Sequence, residues 1–510
     1  MKIFPKAGLT LLCATLVAAC TTQPPSRDTL VTEADIVGLH RLIRKGELRC
    51  TEIVRAYLNR IDAFDKPTGL NAISMVADDA LAQAAVIDAH IKSGKWPGPL
   101  TCAPLGIKDN IDVTPFPTTA GSIVLAQSRP PDDAEVVARL RAAGAIVLAK
   151  TNMAEWAFSP RRTISSTRGE TANAYSLDRV PAGSSGGTAS AVAASLVLAG
   201  LGTDTGNSIR GPSSHLALVG MRSTWGLASL DGIVPLLLDR DVVGPMTRTV
   251  ADNARILSVM TGKDYVSALA GRPLAGVRLG VLRALANPKT MAEGPAAAFT
   301  AALDELRAAG AVIVDDIEIE NFEAHAKDGY YCPRFRADVN EYLASLGGSA
   351  PERDVARIFD TGRFAPQSRA QFAFFIKEEG PVAGKDCPPL ERSAGRLAFR
   401  RAVVGAMDAA GVTALVYPSW THPPARIAHA EKEYRGDNSQ VVAPATGLPA
   451  ITVPMRFVDD LPAGLQLLGR PNSERALYGL AWHYEQETHH RRPPATFSGA
   501  ATHRRRSPSR

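Results

Sequence analysis

Nowhere in the 510 residues do two cysteines stand in a C-x-x-C spacing, and no cysteine–histidine grouping has the spacing of zinc ligands. A structural zinc module is therefore not expected. No internal repeat is present, which removes solenoids and propellers. No Pro/Gly-rich linker cuts the body of the chain, so one large domain is expected rather than several. Acidic residues are missing from the last twenty positions, which hold six arginines, as many as the whole net charge of +6. The body before them is thus neutral, and its charge gives no footprint for a nucleic-acid partner. The Pro/Ser/Arg-rich end, residues 495–510, reads as a solvated, disordered basic tail. Charge is also absent from residues 180–203. By length this run matches a membrane span, but Gly, Ala, Ser and Thr dominate it and Leu is scarce. It reads instead as a buried, closely packed helix from about Gly187 to Gly200.

The N-terminus carries a short basic region, MKIFPK, an apolar stretch, AGLTLLCATLVAA, and then Cys20. The stretch has the length of a signal h-region and is too short to span a membrane as a mature helix. LVAAC resembles a bacterial lipoprotein cleavage box. That resemblance implies a signal peptide over residues 1–19, a lipid anchor on Cys20 and a tether over residues 20–30. An uncleaved anchor or a plain signal peptide is the alternative. Thr21, not Asp, follows the cysteine, which points toward the outer membrane. Cys50, Cys102, Cys332 and Cys387 would then meet an oxidising compartment, where one or two disulfides form. Four cysteines allow three full pairings, and the sequence does not choose among them.

Between these ends, helical and strand patterns alternate. A helix is expected from Thr32, and the stripe Ile53, Val54, Tyr57, Leu58 and Ile61 marks another. PLGIK, AIVLAK, GVRLGVLR, ALVYPSW, AITVPMRF and AGLQLLGR read as strands. The mixture predicts an α/β domain over residues 31–494, with a mixed central sheet covered by helices on both faces.

Three polar stretches interrupt this pattern: PLGIKDN around Lys108, AGSSGG around Ser184 and Ser185, and GTDTGNSIRGP around Ser208. Singly, each has a plain structural reading: a strand lysine, a flexible turn, a helix N-cap. GSSGG is also a G-x-S-x-G with Ser185 at its centre, the pattern of an esterase nucleophile elbow. That motif needs a buried strand before the serine, and SLDRVPA does not supply one.

Together the stretches are far more specific. GIKDNIDV, AKTNMAEWAF, VPAGSSGGTASAVAASL and LGTDTGNSIRGPSS, with TGLPAITVPM and LPAGLQLLGRP near the end, closely resemble the amidase signature family of serine hydrolases. The resemblance runs from about Thr32 to Pro494. It implies Lys108 as the catalytic lysine, Ser184 as a bridging serine after a cis peptide bond, and Ser208 as the nucleophile. It implies an oxyanion loop of backbone N–H groups at Thr205, Gly206, Asn207 and Ser208, braced by Asp204 and Arg210 and supported by Ser185. Met153, Trp156 and Phe158 are candidates for the substrate pocket. No metal or organic cofactor is implied. Asn207 departs from the family pattern, which has Gly before the nucleophile.

The chemistry is reasonable. A serine hydroxyl needs a base to take its proton. A free lysine is neutral in only about one molecule in 2,500 at pH 7, so a lysine base must be buried to work. Ser184 can donate and accept at once, as a relay must. These features point to a hydrolase acting on a small-molecule or peptide amide. The alternatives are a silent, lipid-anchored binding protein of the same fold and a tRNA-dependent transamidase component, which an export signal disfavours.

Overall fold

The computed structural model describes residue 1 and residues 30–271, 273–377 and 388–499. Cys20, most of the expected signal and tether, and Cys387 lie outside the described residues. Eleven strands form one sheet: β1 (Ile73–Val76), β2 (Pro104–Lys108), β3 (Ile146–Thr151), β4 (Ala199–Asp204), β5 (Val219–Arg222), β6 (Val242–Thr247), β7 (Arg278–Val281), β8 (Val312–Val314), β9 (Ala414–Pro418), β10 (Ala450–Val458) and β11 (Leu461–Leu468). Their spatial order is β1-β3-β2-β4-β6-β5-β10-β11-β9-β7-β8. The sheet is mixed, as expected: β2 runs parallel to β3 and β4, whereas β4–β6 and β10–β11 are antiparallel. Every residue of β2, β3 and β4 is buried, because helices cover both faces and leave a parallel centre no solvent side.

Three expectations need correction. The uncharged run is not one helix. Its helix is Gly186–Ala193, and the chain then turns at Ser195 (φ 52°) into β4. The same small residues serve both elements: a Cβ on Gly200 would lie 2.6 Å from the Gly106 carbonyl oxygen of the neighbouring strand. Among the described residues no helix is long and apolar enough to cross a membrane. The helix expected from Thr32 begins at Ile36, because Asp35 caps it by accepting from the Gly38 N–H. Finally, the body does not end at residue 494. Residues Ala495–Phe497 form a 3₁₀ turn, and Phe497 is buried against Phe64. Just before it, Arg491 pairs with Glu33 at 2.7 Å, and residues 500–510 of the expected tail lie outside the described residues.

Cys50 and Cys102 are joined (S–S 2.07 Å, Cα–Cα 5.6 Å), which fixes one of the pairings left open by the sequence. The bridge pins the helix Cys50–Arg60 to the turn that leads into β2. A second apolar cluster, separate from the main core, gathers Met153, Trp156 and Phe158 with Phe335, Val339, Leu343 and Phe372.

Candidate active site

The site lies at the C-terminal ends of the parallel strands β2 and β4, where α/β sheets place their ligands. Lys108 ends β2, and Thr203 and Asp204 end β4. Lys108 is fully buried. Its Nζ donates to Ser184 Oγ and to Thr203 Oγ1, each at 2.7 Å. Burial drives its pKa down to about 7, against the pull of the Asp241 and Asp204 carboxylates. A neighbouring lysine shows the contrast. Lys150, on β3, is equally buried but sits 3.3 Å from Asp109. Among the described residues Lys108 has no such ion pair, only hydroxyl and carbonyl oxygens.

Ser184 follows a cis peptide bond from Gly183. Gly183 must be glycine for lack of space, since a Cβ there would lie 2.4 Å from the Ser159 carbonyl oxygen and 2.5 Å from that of Arg162. Ser185 stands at the N-cap of the helix Gly186–Ala193, and its hydroxyl donates to the Thr203 carbonyl at 3.2 Å. No strand precedes it, so the esterase elbow lacks its scaffold.

Residues 205–208 form the bend after β4. Asp204 organises it. Its Oδ2 accepts from the backbone N–H groups of Ile209 (3.1 Å) and Arg210 (3.4 Å) and from Arg210 Nε (3.1 Å). Burial pushes the Asp204 carboxyl up, but Arg210 and Arg222 hold it at about 2. Arg210 Nη2 in turn donates to the Gly206 carbonyl at 2.6 Å. The hydroxyl of Thr205 donates to Asp241. Ser208 is almost fully buried, and its Oγ lies 3.4 Å from Asn207 Oδ1. Among the described residues it does not hydrogen-bond Ser184.

The structure thus brings Lys108, Ser184 and Thr203 into one hydrogen-bonded set, with Ser208 on the loop braced by Asp204, the residue after Thr203. Met153, Trp156 and Phe158 stand behind it, tied in by the Ala154 N–H, which donates to the Ser184 carbonyl at 3.0 Å. Sequence reasoning missed Thr203, Asp241 and Arg222. Thr203 had a signal, its place just before Asp204 in GTDTGNSIRGP. Arg222 had only a weak one, a lone charge inside the apolar stretch HLALVGMR. Its Nη1 lies 2.9 Å from Asp204 Oδ1, which completes a buried Arg–Asp–Arg triad.

A buried lysine and loop serines at the strand ends of a large mixed sheet define a class of amide-hydrolysing enzymes. The family model described as "Amidase" matches residues 52–478, and the chain belongs to that family. It is 35% identical over 491 residues to a glutamyl-tRNA(Gln) amidotransferase subunit from Symbiobacterium thermophilum, with 90% of this chain and 97% of that protein covered. Among solved structures it resembles native peptide amidase from Stenotrophomonas maltophilia (TM-score 0.81, 34% identity, 91% and 99% of the two chains covered). It also resembles an amidase family protein from Bacillus anthracis (TM-score 0.81, 25% identity, 92% and 93% covered).

Proposed function

We propose that the chain is an exported amide hydrolase that works through an acyl-enzyme on Ser208, with Lys108 as base through Ser184. The observation that carries this reading is the 2.7 Å contact between Lys108 Nζ and Ser184 Oγ, with the lysine fully buried. A lysine titrating near 7 is neutral in a large fraction of molecules at neutral pH. Ser208 Oγ attacks the amide carbonyl carbon. Its proton passes to Ser184 as the Ser184 proton passes to the neutral amine. Backbone N–H groups of the 205–208 bend receive the oxyanion, where one such donor is worth about 3–4 kcal/mol. The C–N bond then breaks, and the proton returns through Ser184 to the leaving amine. Water repeats the cycle on the acyl ester and frees Ser208. The steps need no group beyond these residues and water.

The peptide amidase resemblance supports a peptide or small-molecule amide as substrate. The backbone bond from Ala154 to the Ser184 carbonyl, in the segment that carries Met153, Trp156 and Phe158 into their apolar cluster, supports an apolar wall near the reacting carbonyl. The N-terminal sequence supports delivery to the periplasmic face of the envelope with a lipid on Cys20. The amidotransferase relatives favour a second reading, a component of a transamidase.

The test is treatment with a fluorophosphonate, with the modified serine mapped by peptide mass, and then assay of small amides for ammonia. A label on Ser208 that disappears in Lys108→Ala, with amide turnover by the isolated chain, is the expected result. A label on Ser185, or none on a folded protein, overturns it. Labelling without turnover of any free amide moves weight to the transamidase reading.

A further inference from the structure

Asn207 does more than stand beside the nucleophile. It is 1% exposed. Its Nδ2 donates to Asp437 Oδ2 at 2.8 Å and to the Pro160 carbonyl at 3.3 Å. With two acceptors there, only the amino end of the carboxamide fits that position. The Pro160 carbonyl is shared, because the N–H of Gly183 donates to it at 3.0 Å. One oxygen therefore joins the residue before Ser184 to the residue before Ser208. The far anchor is itself held, since the Tyr434 hydroxyl donates to Asp437 Oδ2 at 3.0 Å.

Space for this side chain comes from a second position. A Cβ on Gly211 would lie 2.8 Å from Asn207 Nδ2 and 3.1 Å from the Trp420 ring. The backbone at Asn207 is not left-handed, so the residue is not there for its tolerance of positive φ. Its carboxamide and the missing side chain at 211 form a matched pair.

We propose that Asn207 is a positioning residue that sets the spacing of Ser208 to Ser184, clamping the nucleophile loop to the relay loop through the Pro160 carbonyl, and that Gly211 supplies the room the clamp requires. The proposal rests on the reading of Ser208 as nucleophile. Ser208 and Ser184 are not in hydrogen-bond contact, so a small change in loop position changes how readily the relay closes. Misplacement by about 1 Å can cost as much as 10²-fold in rate.

The experiment measures kcat and KM on one small amide for the full chain and for Asn207→Gly, Gly211→Ala and the double variant. Active enzyme is counted by fluorophosphonate titration, and melting temperature is recorded alongside. Each single change is expected to lower kcat about tenfold with KM within about twofold. The double variant is expected to stay within about threefold of Asn207→Gly, not to show the product of the two losses, because the added methyl then loses its 2.8 Å clash with the carboxamide and keeps only the looser 3.1 Å approach to the Trp420 ring. Asn207→Asp, which sets a carboxylate against Asp437, is expected to lose more than Asn207→Gly. An Asn207→Gly kcat within about twofold of the parent, or fully multiplicative losses in the double variant, overturns the proposal. A parent chain that is neither labelled on Ser208 nor active overturns the hydrolase reading instead.

Discussion

The hydroxyl of Thr203 lies 2.7 Å from Lys108 Nζ, as close as the hydroxyl of Ser184. It also accepts from Asn110 Nδ2 at 3.2 Å. An acceptor beside an amine favours its charged form. Thr203→Val is therefore expected to lower the Lys108 pKa further and move the acid limb of the kcat/KM–pH profile to lower pH. A limb that stays in place removes Thr203 from the tuning of the base.

Lys108 itself carries an opposed prediction for stability and activity. Its pKa is about 7 in the folded chain, from an ordinary 10.5. Between those values the unfolded chain binds more protons, so the stability term rises with pH across that window. Below pH 7 the buried ammonium costs on the order of 5 kcal/mol, and the cost fades as pH nears 10.5. Lys108→Met should lose at least about 10²-fold in turnover yet melt higher than the parent at pH 6, with the gap closing toward pH 10. Equal melting curves at pH 6 would count against a desolvated lysine.

Asp204 faces two buried arginines, Arg210 at 3.1 Å and Arg222 at 2.9 Å. Asp204→Asn leaves two guanidinium groups without their carboxylate. Breaking such a buried set typically costs about 3–5 kcal/mol, readable as a lower urea midpoint at pH 7. The Asp204 pKa is depressed to about 2. Its contribution is thus complete above the ordinary carboxyl pKa and is lost as pH falls toward 2. The difference between parent and variant should shrink over that acid range.

The Cys50–Cys102 bridge spans 52 residues. The chain-entropy relation gives about 4 kcal/mol for a loop of that size. A Cys50→Ser/Cys102→Ser variant is expected to melt lower by an amount of that order, with the Ser208 label retained when the protein is folded.

Cys20 offers a test of location. Radiolabelled palmitate should enter the full chain, and Cys20→Ala should abolish both the label and partition into detergent. An unlabelled parent chain would remove the anchor from the proposal.

The sheet and most of its strands were readable in the sequence, because the buried strands are short apolar runs bounded by turn residues. The catalytic candidates were readable through three long motifs. What stayed hidden was set by distance along the chain. Arg222 reaches Asp204 across 18 residues and Asn207 reaches Asp437 across 230, and no local pattern encodes either partner. The uncharged run was misread because one composition, rich in Gly, Ala and Ser, suits a packed helix and a crowded strand alike. The disulfide pairing was unreadable for the same reason as the triad, since only the fold brings Cys50 beside Cys102.

Arg60 draws a different kind of consequence. One of its nitrogens donates both to Thr32 Oγ1, at 2.9 Å, and to the Gly499 carbonyl, at 3.0 Å. The chain enters the domain and leaves it within the reach of a single side chain. A protein fused after residue 499 would therefore be displayed from the same side as anything attached before residue 32. The two ends could also be spliced through a few residues to give a circular permutant, with new termini opened in an exposed loop elsewhere.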